Sequence, residues 1–569
     1  MSGVRIGNAS GFYGDRFGAF RELVESGAVD VITGDYLAEL TMLILARDRA
    51  RDSSLGYARS VVGQLEECLG PALERGLRIV VNAGGLNPSG LTDRLRELCS
   101  RLGLNARIGY VEGDDLLPRA AELGLCPALA SPPLAANAYL GAFGIAACLR
   151  AGADVVVTGR ITDASLVVGP AAAHFGWEPT DYDAIAGAMA AGHVIECGAQ
   201  ATGGNYAFFD RIADLTHPGF PIAQIQDDGT SVITKAPGTG GAVTVGTVTA
   251  QLVYEIGGAR YAGPDAVLRL DSVRLKNDGP DRVRISGVRG EPPPDTLKVS
   301  VNHLGGYRNE VTFVLTGLDL EAKAALVRRQ LADAVPVGTT WTLARTDHPD
   351  ATTEETASAL LHCVARGGDR GTVGRAFSDA AVQIGLSSYP GFHLTAPPGD
   401  ASPYGVYRSG FVAADRVAQV AVLPGGERVP IPSAPGAVKA ETALAAVPEP
   451  SVPPWAPGGP TRRVPLGRVA GARSGDKGGT ANMGVWVEED RAWPWLVSTL
   501  TAEALPSLLP ETAGLSIERH VLPALRAVNF VIPGLLGEGV AFNARFDPRA
   551  KALGEWLRSR TVDVPQELL

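Results

Sequence analysis

From Val4 to about residue 200 the chain alternates short apolar runs with longer segments of helical periodicity. The apolar runs are rich in β-branched residues and end in polar or glycine-containing turns. They predict strands at Val4–Asn8, Val29–Thr33, Arg78–Asn82, Ala106–Val111 and Asp154–Thr158. Between them the apolar positions recur every three to four residues, which predicts helices near Phe17–Ser26, Leu37–Arg47, Ser60–Arg75, Leu91–Leu102 and Ala135–Leu149. A run such as Val155–Val157, with no polar alternation, suits a strand covered on both faces. Strands separated by helices imply right-handed crossovers and a parallel sheet.

From about Thr202 β-branched residues mix with glycine turns, as in PIAQIQDDGTSVITK, and the helical spacing fades. Strands at Arg282–Val288 and Thr296–Val301 and a helix at Glu321–Ala334 are expected there, an added α+β portion. Pro448–Pro460 holds six prolines, a composition that makes a semi-rigid linker. Beyond it the pattern predicts strands near Val464–Ala472 and Asn482–Val487, a helix near Trp493–Leu509, strands near Leu515–Ile532 and a helix at Pro548–Arg560. A chain of 569 residues exceeds one core. The expected layout is an α/β domain over residues 1–445, a linker over 446–462 and a small α+β domain over 463–569. Within the first domain, residues 1–200 carry the parallel sheet and residues 201–445 the α+β portion.

The ends of the five N-terminal strands read GNASGFYGDR, TGDYLAE, NAGGLNP, EGDD and TGRITD. Ligands of open α/β sheets sit outside the carboxyl ends of the strands. Ser10, Asp35, Asn82, Asp114, Arg160 and Asp163 are therefore expected around one pocket, with Arg160 holding an anionic group. Thr162 or Asp163 can equally cap the next helix, and Asp35 and the pair Asp114–Asp115 are either an acid group or solvated helix caps. The first turn has the spacing G-x-x-x-G-x-x-G rather than G-x-G-x-x-G, and no tyrosine has a lysine four residues on. Both features argue against a nicotinamide enzyme.

GHVIECG places His193, Glu196 and Cys197 on one face if the segment is helical. Such a face can bind metal or supply acid, base and nucleophile; without a second ligand cluster, proton transfer by His193, Glu196 or Asp163 is the expectation, and no metal. ARSGDKGGTAN concentrates Arg473, Ser474, Asp476 and Lys477 in a glycine-rich turn, either an anion-binding nest or a charged hairpin loop. The linker is long enough for this turn to reach the rim of the large domain. Arg473 or Lys477 is expected to meet a substrate anion there, or an acidic rim residue such as Asp114.

The net charge of −10 argues against nucleic acid or an anionic membrane as partner. Six scattered cysteines fit a reducing compartment. No basic and apolar leader precedes the first strand, and Ala135–Leu149 is too short to span a bilayer. A soluble, cytoplasmic, homo-oligomeric protein is expected.

Taken together, GDYLAE, NAGGLNP, ADVVVTGRITDASLVVGP, GHVIECGAQATGG, GFPIAQ and SGDKGGTANMGV resemble the acyclic terpene utilisation protein A-like family from Val4 to about Val564. The C-terminal region resembles the ferredoxin-like domain that often follows in such proteins. The family is linked with bacterial degradation of citronellol- and geraniol-type isoprenoids through CoA thioesters. It supplies no agreed catalytic residues, so the site residues above rest on the strand ends. The resemblance implies a small-molecule acyl-CoA substrate, CoA entering as part of the substrate and no tightly bound cofactor. The reading is a lyase or hydratase on a branched acyl-CoA. The alternatives are a non-catalytic acyl-CoA-binding subunit of a larger assembly, or a thioester hydrolase using Cys197.

Overall fold

Five parallel strands form the centre of the large domain: β1 (Val4–Asn8), β2 (Val31–Gly34), β3 (Arg78–Gly85), β4 (Ile108–Glu112) and β5 (Val155–Gly159), in the order β1-β2-β3-β5-β4. The computed structural model describes residues 3–126, 131–452, 454–455 and 458–569. Successive strand side chains point to opposite faces, and here both faces are covered. Ile79, Val81, Val155 and Val157 pack with helices Ala19–Ser26, Ser60–Glu74 and Pro88–Leu102. Val80 and Val156 pack on the other side with helices Phe143–Arg150, Ser165–Phe175 and Tyr182–Ile195. This double burial is why these strands read as unbroken apolar runs.

Only part of the later portion joins this sheet. Its strands extend the same sheet to eleven, joining antiparallel at both edges. Pro221–Ile225 and Ser231–Lys235 continue beyond β1, and Val420–Val422 and Arg428–Pro430 continue beyond β4. A second, six-stranded sheet is built around one strand of 21 residues, Thr296–Thr316, far longer than the predicted Thr296–Val301.

The predicted helix Ala135–Leu149 is not one element. Pro133–Ala138 is a strand paired with Val299–His303 of the second sheet, and the helix begins only at Phe143. Asn137 fits this arrangement. It lies near the end of an extended segment, and its side chain bonds Asp114 rather than facing solvent from a helix.

The C-terminal domain has the antiparallel order Ala470–Lys477, Thr480–Val487, Ala527–Ile532, Glu518–Leu522, with helices Trp493–Thr499 and Leu553–Ser559 over one face. The predicted helix Trp493–Leu509 stops at Thr499, and a single turn follows at Leu505–Leu508. The strands expected near Leu515–Ile532 are Glu518–Leu522 and Ala527–Ile532, separated by Pro523–Leu525, since proline cannot donate to a ladder. Of the proline-rich segment, Val452 and Trp455 pack on the C-terminal core, while Pro453 and Pro457 lie outside the described residues.

The carboxyl edge of the sheet is tied together by Asp114, just past β4. Its Oδ2 accepts hydrogen bonds from Arg160 N and Asn137 Nδ2, each at 2.9 Å. A Cβ at Gly159 would fall 2.6 Å from Asp114 Oδ1, so glycine is required there. Burial pushes this carboxyl up to about 7. The sign follows from linkage: the unfolded chain ionises first, so stability declines as pH rises from about 4 to about 7 and is flat above. Asp114→Asn keeps an acceptor and cannot ionise. Denaturation across this window should show the parent losing ground to the variant by up to a few kcal/mol; parallel curves would show that Asp114 titrates normally.

Candidate functional site

A cavity of about 380 Å3 opens at the carboxyl ends of β1, β2 and β5, closed on its far side by the C-terminal domain. The sheet side contributes Asp35, Arg160, Asp163, Glu196 and Cys197; the C-terminal domain contributes Asp476, Lys477 and Lys551. Tyr254 and Glu255 lie between the two.

Arg160 follows the last residue of β5 and is only 3% exposed. Its Nη1 donates to Leu37 O at 3.1 Å and lies 3.2 Å from Asp163 Oδ1, and its guanidinium stacks 4.2 Å above the Tyr139 ring. Asp163 does not cap the following helix with its side chain. It turns to Arg160 instead, and its Oδ1 makes no hydrogen bond. Asp35 is 4% exposed; Asn82 Nδ2 donates to its Oδ1 at 2.6 Å, and Asn82 Oδ1 accepts from Tyr36 N at 2.7 Å. Burial and the nearby Asp163 charge hold the Asp35 carboxyl well above the ordinary range, and Arg160 offsets only some of this.

His193 and Glu196 close the helix Tyr182–Ile195, and the i, i+3 spacing brings His193 Nδ1 within 3.0 Å of Glu196 Oε1. His193 Nε2 and Glu196 Oε2 are both buried with no partner among the described residues. Burial raises the Glu196 carboxyl, although His193 works against this. Burial, followed by the charges of Glu196 and Glu255, also pushes the Cys197 thiol far up, which disfavours a thiolate. Gly11, in the turn after β1, packs so closely on the Cys197 backbone that a Cβ would lie 2.8 Å away.

The domain interface is bridged at Glu255. Its Oε2 lies 3.1 Å from Lys477 Nζ and its Oε1 3.0 Å from Lys551 Nζ. Burial opposes a charge here, but the two ammonium groups, Lys477 foremost, outweigh it and hold Glu255 well below the usual carboxylate range. Glu255 sits at φ 55°, in the left-handed region, and its backbone N–H donates to Asn482 Oδ1 at 2.6 Å. Gly475 makes the approach feasible, because a Cβ there would lie 2.6 Å from the Tyr254 ring. Burial, then Glu255, lifts Asp476 up to about 6.

Of the residues singled out from the sequence, Asp35, Arg160, Asp163, Glu196, Cys197, Asp476 and Lys477 line the cavity. Asn82, Asp114 and His193 stand behind these as supports. Ser10 bonds its own turn through Phe12 O at 3.1 Å. Arg473 bonds Gln200 and stacks 4.5 Å over Tyr254. Lys477 meets Glu255 rather than Asp114. The Asp114–Asp115 pair divides: Asp115 Oδ1 caps the turn at Leu117 N at 3.0 Å, while Asp114 is buried.

Tyr139, Tyr254, Glu255 and Lys551 went unnoticed in the sequence, since none sits in a motif at a strand end. Tyr254–Glu255, just before Gly257–Gly258 and after a helix, was the available signal. Among the described residues no group of three or more His, Cys, Asp and Glu is placed to hold a metal ion. No helix among them is long and apolar enough to cross a membrane.

Searches of curated proteins and of solved structures each found no match. Two family models do match, the acyclic terpene utilisation family protein AtuA over residues 4–423 and the AtuA ferredoxin-like domain over residues 464–563. With a polar cavity at the switch from sheet to C-terminal domain and matches covering both, this chain belongs to the acyclic terpene utilisation family AtuA.

Proposed function

We propose that the protein is an acid/base lyase or hydratase acting on a branched, isoprenoid-like acyl thioester. The observation that carries this reading is the pairing, in one cavity, of raised carboxyls with fixed cations. Glu196 and Asp35 are held toward their protonated forms, while Lys477 and Arg160 are held charged by Glu255 and Asp163. Perturbed groups of opposite tendency in one cleft are what proton transfer needs. The family's link with acyclic terpene utilisation supports the isoprenoid-like substrate.

In this reading Lys477 draws electron density from the thioester carbonyl. Glu196, through its unpartnered Oε2, exchanges a proton with the substrate, and His193 holds its other oxygen. In the hydration direction, a C–O bond forms at the β carbon, a carboxylate such as Asp163 takes the water's proton, and a proton is delivered to the α carbon. Elimination runs the same steps backwards. Carboxylates outnumber cations along the cavity wall. The polyphosphate of CoA would therefore lie outside, with the acyl group inside. Hydrolysis through Cys197 has no comparable support, because the thiol is held protonated.

Purified protein incubated with branched enoyl- and 3-hydroxyacyl-CoA esters should convert them with the gain or loss of water or of a carbon fragment, read by mass spectrometry. Binding with no mass change across the panel would instead favour a non-catalytic acyl-CoA-binding subunit. Glu196→Gln should lower kcat by about 10²–10⁴-fold, the range of one general acid or base. In the hydration direction the raised Glu196 carboxyl works in its protonated form, so the parent's hydration rate should fall as pH rises through that raised value, and this limb should vanish in the variant. An unaltered pH profile in Glu196→Gln would assign the proton elsewhere. Lys477→Ala should cut kcat/KM about tenfold or more; a value near the parent's would remove Lys477 from the reaction.

A further inference from the structure

Beside the polar cavity lies a second one, of about 500 Å3, within the span of ordinary ligand sites. Leu297, Phe411, Leu444, Ala446 and Val447 give it a hydrocarbon wall, while Lys298, Glu518 and His520 also border it. The two cavities have Asp163, Glu255 and Lys477 in common, so they meet at the reacting end of the site. Phe411 is 60% exposed and Leu444 51% exposed, apolar surface that none of the other described residues covers. The wall is also fixed in place. The carbonyl of Ala445 accepts a hydrogen bond from Arg260, and Glu291 Oε2 holds Arg260 Nε at 2.7 Å.

A substrate with its polar head at Lys477 has apolar surface beside it in this chamber, because Lys477, Glu255 and Asp163 line both cavities. We propose that the chamber is a binding site for the hydrocarbon tail of the substrate, with Leu444–Val447, the segment leading into the linker, as its specificity-determining wall. This rests on the acyl-thioester reading above and adds where the chain goes and which residues select its length. It also gives the residues before Pro448 a role beyond joining two domains.

The probe is a series of saturated, neutral acyl thioesters of N-acetylcysteamine, from butanoyl to decanoyl, which undergo neither hydration nor elimination. Calorimetric Kd values on the full chain should fall by about fourfold per added methylene until the chamber is full, the gain expected for burying one CH2. Gly257→Trp and Ala446→Trp fill the chamber. A Cβ at Gly257 meets nothing within 4 Å, so the new side chain enters open space. In both variants the ratio of butanoyl to decanoyl Kd should collapse at least tenfold, and if one fails to fold the other decides. A flat series in the parent, or a ratio that a folded variant retains, overturns the tail site. Because these chains do not react, a failed lyase or hydratase assay leaves this result standing. Turnover alongside a flat series would sink the chamber alone.

Discussion

The meeting of Glu255 with Lys477 and Lys551 is the interaction on which the site depends. One carboxylate of the large domain lies between two ammonium groups of the C-terminal domain, so neither domain has a complete cavity alone. These side chains keep some solvent contact, 38% for Lys477 and 22% for Glu255, so desolvation is partial and good geometry lets the attraction offset it. Here the geometry is enforced from both sides. Asn482 fixes the Glu255 backbone in its left-handed conformation, and Asn482 Nδ2 donates to Ile256 O at 3.1 Å as well.

A second charge system faces the first across the cavity. Arg160 is anchored by Leu37 O, Asp163 and the Tyr139 ring, and its own backbone N–H is bonded by Asp114. The cations are thus immobilised before any ligand arrives, while Asp35 and Glu196 remain reluctant to ionise. Preorganised charges of this kind stabilise charge developing during a reaction without a rearrangement at that moment. The unpartnered Nε2 of His193 and Oε2 of Glu196 are buried polar atoms of the kind usually satisfied in a finished protein core. In the proposed reading a substrate or its water completes Glu196 Oε2, the one of the two residues that lines the cavity.

The five parallel strands were legible from their short β-branched or apolar segments, and most plainly at β3 and β5, which are buried on two faces and carry unbroken apolar runs such as Val155–Val157. Their ends were legible too, since the polar residues begin where the strands stop; Asp35, Arg160 and Asp163 were placed by that argument alone. The strand Pro133–Ala138 was not legible. Alanines and a leucine satisfy a helical spacing equally well, and only pairing with Val299–His303 selects the extended form.

What the sequence determined by itself was therefore local: two-faced strands, glycine turns at their carboxyl ends, the i, i+3 approach of His193 to Glu196, and a glycine-rich turn carrying Asp476 and Lys477. Tertiary structure decided which of these polar residues face the cavity and which stand behind it. It split Asp114 from Asp115, sending one inside as a hydrogen-bonded support and the other to a helical turn. It also chose Glu255, more than two hundred residues from Lys477, as the partner of that lysine. The physical reason is range. Burial pattern and turn chemistry act over a few residues, whereas an ion pair between domains depends on how two finished surfaces dock, and no local spacing encodes that.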